Sequence, residues 1–380
     1  MDATGGKINA AVLVGNGLSV AVNPRLNLRT ITQELVDRIG SATSDGSDVV
    51  AAMKEIAERA LPAGATSDDD FEILVGAFGA ESRTLSYLQE LASLVSPQDE
   101  DLRNAIQQVS EFAGQVRDEG LSHVLEVIFE RSQGYSDGTA KLQAFVETIT
   151  TAFDGKIAIG NLNYDTLLLS ALLATLERNE LADMGHGYKK CSITADGRKI
   201  SVPALRTSAS DFPPNRVRLL HLHGSLTYWS NLERTVFAKI DTANLSSFDQ
   251  WGAVRERSTN VRPVVVLANQ RDKSAHVTEF PFSVAYEVFA AGLKASAHWL
   301  VVGYSFRDIC VNDMLREEFS NRTDKPTVLV VTYGDQPARH DVERAFGWGA
   351  EDGDSESWLT INRGGANDMK DSLDWKNFIA

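Results

Sequence analysis

Four short segments carry residue types that can do chemistry, and each directly follows an apolar run. Gly15-Asn16-Gly17-Leu18-Ser19 follows Ala10–Val14, and Asn163-Tyr164-Asp165 follows an apolar run at 157–159. His223-Gly224-Ser225 follows 217–222, and Gly303-Tyr304-Ser305-Phe306-Arg307-Asp308 follows 300–302. The first glycines let backbone approach a pyrophosphate, whose charge a helix N-terminus favours. A tight turn without a ligand would use them equally well. Asn163 offers a neutral amide that can hold a ribose hydroxyl or a water, and asparagine is also a good helix N-cap. Asp165 reads first as an acidic residue stabilised by a helix dipole. His223 is the residue type of a general base near neutral pH, although a histidine taken alone is more often structural. Gly303 permits close backbone approach and Ser305 can bond a ribose or phosphate, while the same segment also reads as a strand-end turn.

Several other chemistries are excluded or weak. His221 precedes His223 by two residues, so in a continuing strand both would face one side. No carboxylate or cysteine at ligand spacing accompanies the pair, and no metal is assigned. The third glycine of a G-x-G-x-x-G fingerprint falls at Val20, and no strand ending in an acidic residue follows about 20 residues on, so a dehydrogenase fits poorly. A G-x-x-x-x-G-K-[ST] phosphate loop is absent, so the chain is not a P-loop ATPase. Two cysteines, Cys191 and Cys310, fit a reducing compartment and are too few for a four-cysteine zinc module.

The elements that must position these residues alternate in type. Ala10–Val14 has a buried-strand pattern. From Arg29 to Phe153 the pattern is almost wholly helical. Ile31, Leu35 and Ile39 recur at four-residue spacing, Thr30 and Gln33 form a capping-box pattern, and Gly40 marks a stop. Further amphipathic stretches cover 49–61, 71–78, 85–95, 102–116, 121–131 and 142–153, with Ser96-Pro97 and 134–138 as separators. So many helices cannot be one crossover, and a helical subdomain at 29–153, inserted after the first strand, is expected. Strand character resumes at 157–159, followed by a helix with Leu167, Leu168 and Leu172. A second insertion, 185–215, contains a hairpin signal in which 191–193 and 199–202 flank Asp196-Gly197. Strands at 217–222, 264–267, 300–302 and 327–332 follow, with a helix at 283–295. This alternation predicts an α/β fold: a Rossmann-like, mostly parallel sheet with a large inserted helical subdomain. Ligands of such sheets bind outside the carboxyl ends of the strands, so the four segments should converge on one cleft.

The chain has 380 residues, 43% of them hydrophobic, and a formal net charge of −15. These are the proportions of a globular protein, not of a disordered or collagen-like one. The acidic balance, with no dense Lys/Arg cluster, argues against a direct nucleic-acid partner. No run of 18 uncharged apolar residues is present, so no membrane helix is expected. The run at Ala10–Val14 is too short for a signal peptide, and a cytoplasmic location is expected. A tail at 334–380 holds Trp348, Trp358 and Trp375, which suggests docking onto the core or onto another subunit.

Taken in order, the four segments resemble the sirtuin-like superfamily and, within it, the bacterial NAD-cleaving proteins of anti-phage defence. The motifs span Leu13 to Asp308, so residues 1–380 read as one sirtuin-like NAD-binding domain with insertions. The family's first loop is commonly Gly-Ala-Gly-x-Ser, from which Asn16 departs. Asp70-Phe71-Glu72 resembles, more loosely, a motif in the helical insertion of these relatives. The resemblance implies NAD+ as substrate, with Asn163 positioning water and the nicotinamide ribose and His223 doing acid–base work on ribose hydroxyls. It places Gly15, Asn16, Gly17 and Ser19 at the phosphates, Gly303 and Ser305 on the adenosine side, and Asp165 and Asp308 among the NAD-contacting residues. With no structural zinc to be built from two cysteines, water becomes the expected nucleophile, giving nicotinamide and ADP-ribose. Homo-oligomers and a separate regulatory protein are implied as partners: a HerA-type hexameric ATPase first, a short Argonaute second. The readings kept beside this one are a non-catalytic NAD or ADP-ribose binding subunit and a zinc-free NAD-dependent deacylase.

Overall fold

Runs rich in Val, Leu and Ile form the centre of the computed structural model, which describes residues 7–42, 46–60, 71–72, 74–75, 87–88, 90–95, 99–133, 138–195, 197–247, 249–266 and 270–380. Strand β1 (Ala10–Val14) leads through Gly15 into helix α1 (Asn16–Val22). Helices Leu28–Ala42, Gly46–Ala60, Glu100–Ser132 and Thr139–Ala152 separate it from β2 (Ile157–Asn161). Then come β3 (Leu181–Ala182), the antiparallel pair β4 (Lys190–Ala195) and β5 (Arg198–Pro203), and β6 (Val217–His221). Strands β7 (Gly224–Asn231), β8 (Phe237–Lys239) and β9 (Val261–Val265) form a separate antiparallel sheet. Strands β10 (His298–Val302), β11 (Thr327–Val331) and β12 (Leu359–Asn362) complete the main sheet.

The main sheet has seven strands in the order β12-β11-β10-β1-β2-β6-β3, and its paired strands run parallel. This is the α/β, Rossmann-like sheet with inserted helices that the sequence predicts. Side chains of each strand alternate between two buried faces, as a central parallel strand requires. Ala11, Leu13, Trp299 and Val301 pack under the helix Phe282–Ala295 on one face. Val12, Val14, Leu300 and Val302 pack on the other against Phe145, Ile149 and Leu172. A third core joins Ile31, Leu35, Val124 and Ile128 of the inserted helices to Ile193, Trp229 and Trp251, the last two rings 5.3 Å apart. The inserted helices therefore share their core with the two small sheets. Among the described residues no helix is long and apolar enough to cross a membrane.

Several sequence expectations need correction. The stretches 102–116 and 121–131 are one helix, Glu100–Ser132. Gly120 does not break it, because its bare face receives Val75: a Cβ there would lie 3.0 Å from the valine Cγ2. Gly40 does not stop its helix, which runs to Ala42. Thr30 is not the cap, since Asn27 Oδ1 accepts from Arg29 N at 3.0 Å while Thr30 bonds back to Arg25 and Asn27 carbonyls. The strand expected at 264–267 belongs to β9, pairs antiparallel with β7 and is not part of the parallel sheet. The chain end adds a strand not foreseen, β12, and its tryptophans fold back: Trp358 and Trp375 are buried, the latter 6.2 Å from Phe153. Asp70, Ser96-Pro97, residues 134–137, Asp196 and Leu267 lie outside the described residues, as do parts of 71–78 and 85–95.

Candidate active site

Strand order reverses between β1 and β10, and a crevice forms at such a point because the crossovers on either side leave in opposite directions. The loops leaving these two strands touch backbone to backbone. Gly15 N donates to Val302 O and Gly17 N to Gly303 O, both at 2.9 Å. A Cβ on Gly15 would lie 2.6 Å from Gly303 O, and Gly303 itself has φ +63°. Glycine at 15, 17 and 303 is thus required by the docking of two strand ends, before any ligand is considered. Gly15 is buried, Asn16 half-buried, and Gly17 and Ser305 exposed.

The next strand end fixes Asn163. Its Nδ2 donates to Gly15 O at 3.1 Å and to Ser19 Oγ at 2.9 Å, and Ser19 Oγ donates to Asp165 Oδ2 at 2.6 Å. Both amide hydrogens are therefore directed at the first loop, and the orientation of the amide is set. The other oxygen of Asp165 accepts from Leu167 N at 3.0 Å, at the start of helix Leu167–Thr175, which is the helix-start role that its position suggested. Burial pushes the Asp165 carboxyl up, opposed by the Ser19 hydroxyl and the Leu167 amide. From below, Asn161 Oδ1 accepts from Asn163 N at 3.1 Å. His221 Nδ1 lies 3.4 Å from Asn161 Nδ2 and 3.3 Å from Asn163 O. Burial, with Lys239 nearby, lowers the His221 imidazole to about 4, so it is neutral at pH 7.

His223 departs from the simple strand reading. The parallel strand ends at His221, and a turn at Leu222-His223 separates the two histidines before β7 begins. His221 turns to the asparagines, whereas His223 Nε2 lies 3.1 Å from Asp308 Oδ2. No group of three His, Cys, Asp or Glu among the described residues could hold a metal. Leu222 N donates to Asn161 O and Leu226 N to Tyr164 O, both at 2.9 Å, so Asn163 and His223 sit on neighbouring, cross-bonded strand ends. Their side chains are buried.

Asp308 is held by groups of the protein itself. Its Oδ1 caps the helix Ile309–Ser320 through Val311 N at 3.2 Å, and its Oδ2 faces His223 and Lys273 Nζ, the latter at 2.6 Å. Burial opposes its ionisation, yet the imidazole and the ammonium outweigh that and hold the carboxyl well below the usual range. Lys273 also lies 3.6 Å from Glu72 Oε2, and Tyr164 OH donates to Glu72 Oε1 at 2.8 Å. Lys273 had no sequence signal: it sits in a short polar helix, Gln270–Val277. Glu72 was visible only as part of the looser motif.

Outside the β10 and β11 ends lies a cavity of about 980 Å³, walled in part by Gly17, Gly303, Ser305, Tyr333, Arg344 and Asn367. Its size falls at the upper end of the range for cofactor pockets, roughly 300–1,000 Å³. Asn163, Asp165, Ser19, His223 and Asp308 are not in its wall. The structure thus brings the ten predicted residues into two neighbouring groups, an open one at the β1–β10 reversal and a closed one behind β2 and β6.

A family profile for the SIR2-like domain matches residues 158–348, just over half of the chain. The chain belongs to the SIR2-like family. That match takes in Asn163, Asp165, His223, Gly303, Ser305 and Asp308, while the Gly15–Ser19 loop precedes it. No curated protein matches the chain. SIR2-like domains bind NAD+, and ligands of open parallel sheets bind at the point where the strand order reverses.

Proposed function

We propose that this SIR2-like chain hydrolyses NAD+ to nicotinamide and ADP-ribose. The observation that carries the reading is the fixed amide of Asn163 beside the His223–Asp308 pair. With both N–H bonds of Asn163 directed at Gly15 and Ser19, its carbonyl oxygen is left to accept from a water or a ribose hydroxyl. His223 Nε2 lies 3.1 Å from Asp308 Oδ2, a charge contact without an aligned hydrogen bond, and an imidazole so placed is the group here able to take a proton from water or a ribose hydroxyl. Breaking the nicotinamide–ribose bond passes through an oxocarbenium-like centre. Nicotinamide leaves neutral, so no strong acid has to protonate it. The protein's task is to hold the ribose, orient water and face the positive centre with an amide oxygen. In this reading Gly17, Gly303 and Ser305 border the phosphates and adenosine in the open cavity.

The biological role follows from the chemistry and the resemblance. An unrestrained NAD+ hydrolase would exhaust the cytoplasm that made it. We place this one as the effector of an anti-phage system, assembled as a homo-oligomer and released by a separate regulator, a HerA-type ATPase before a short Argonaute. The test is incubation with NAD+, alone and with the candidate regulator, followed by chromatography and mass spectrometry. Equimolar nicotinamide and ADP-ribose, lost in Asn163→Ala and in His223→Ala, is the expected result. NAD+ binding without nicotinamide release in either condition would make the chain a binding subunit and overturn the proposal.

A further inference from the structure

We infer that Lys273 is a positioning residue for His223, and that Glu72 of the inserted helices holds it in place. The inference rests on His223 doing the acid–base work. Its observation is a line of charged groups contributed by four separate parts of the chain: His223 after β6, Asp308 after β10, Lys273 on the helix Gln270–Val277, and Glu72 from the inserted helical region. One oxygen, Asp308 Oδ2, is shared between His223 Nε2 at 3.1 Å and Lys273 Nζ at 2.6 Å. The residue after Asn163, Tyr164, closes the line, with its hydroxyl 2.8 Å from both Glu72 Oε1 and Val266 O, two acceptors that share its one hydrogen.

Geometry gives each group its task. A carboxylate 3.1 Å from an imidazole draws a proton onto the ring, and a ring that keeps its proton cannot act as a base. A cation on the same oxygen cancels much of that pull. Lys273 has the charge, the contact and the burial to do this, with its side chain only 7% exposed. Burial works against its charge, but Glu72 and Asp308 together raise its proton affinity, so it stays an ammonium. Among the described residues, Tyr286, Tyr304 and Cys310 also interact with Asp308. Burial pushes all three up, Cys310 to about 11, and they are uncharged near neutrality. Among the described residues Lys273 is thus the ammonium paired with Asp308, and a movement of the inserted helices that carried Glu72 away would be felt at His223.

The test reads the imidazole directly. In protein labelled with ¹³C-histidine, the His223 ring resonance is assigned by its loss in His223→Asn and titrated in wild type, Lys273→Met, Lys273→Arg and Glu72→Gln. Removing the lysine charge is expected to raise the midpoint of the His223 titration above that of the wild type. Arginine restores the wild-type midpoint, and Glu72→Gln, which removes the lysine's other anion and leaves more of its charge on Asp308, shifts it downward. Where NAD+ is cleaved, the acid limb of kcat moves up with the midpoint in Lys273→Met while KM holds. A His223 midpoint unchanged in folded Lys273→Met, or an arginine variant that behaves like methionine, overturns the inference. Should Lys273→Met not fold, Glu72→Gln against Lys273→Arg decides, and no difference between them in the His223 midpoint overturns it. The titration stands without turnover, so its failure is distinguishable from a failure of the hydrolase reading.

Discussion

Gly303→Ala is the sharpest perturbation of the strand-end docking on which the site depends. Gly303 has φ +63°, a conformation that costs an alanine about 1–2 kcal/mol. The new Cβ would also lie 2.5 Å from Leu18 N and 2.6 Å from both Gly17 Cα and Gly17 C. All three are backbone atoms, so no side chain can swing aside, and overlap of this kind costs about 1–3 kcal/mol more. The sum is about 2–5 kcal/mol, or roughly 30- to 5,000-fold in the folding constant. Urea unfolding followed by tryptophan fluorescence measures it. Gly40→Ala is the control, because nothing lies within 4 Å of its added Cβ and it sits inside a helix. That change should stabilise by about 0.5–1 kcal/mol. Because the overlap falls on the Gly17 loop, folded Gly303→Ala should also bind NAD+ at least tenfold more weakly. A Gly303→Ala protein with wild-type stability and affinity would show that the two loops do not dock as described.

Further outcomes follow from the same structure. Asn163→Ala strips Gly15 O and Ser19 Oγ of their donor and should cost about 1–3 kcal/mol of stability, and Asn163→Asp, which sets a carboxylate against Gly15 O, should cost more; equal unfolding midpoints would refute this bonding. His221 and His123 are both lowered to about 4 from 6.5 by burial. Their stabilising contribution is whole above pH 6.5 and drains as pH falls toward 4, because the unfolded chain takes up its protons first. Each should remove about 2 kcal/mol between pH 8 and pH 5; His221→Gln should halve that combined loss, and a pH response identical to wild type would contradict it. Trp358→Ala, which empties the space against Phe319 and Phe346, should cost about 3–5 kcal/mol by thermal or urea unfolding, and a loss below 1 kcal/mol would place this tryptophan outside the core.

The four strand-end segments were legible because each couples a buried apolar run to glycine, amide or imidazole at its end, and a parallel sheet makes those ends neighbours. Other features left weaker traces for physical reasons. Strand β7 is buried along seven of its eight residues, so it lacks the alternation that marks a half-exposed strand. Pro263 suggested that its partner began later than it does, since proline is tolerated on the edge position that β9 occupies. The stretches 102–116 and 121–131 read as separate because Val75, which packs against Gly120 between them, is 45 positions away in sequence. Asp308 carried no sign of its partners, since Lys273 and Glu72 meet it only through tertiary folding. Composition and spacing report which groups a strand end offers, whereas the pairing of charges across elements is a property of the assembled chain.

A structure of the Asn163→Ala protein with NAD+ bound tests the central claim most directly. The account predicts the adenosine half in the cavity bordered by Gly17, Gly303 and Ser305, with the nicotinamide ribose reaching inward between position 163 and the His223 imidazole. A dinucleotide lying elsewhere, or one whose nicotinamide end points out to solvent, would contradict it.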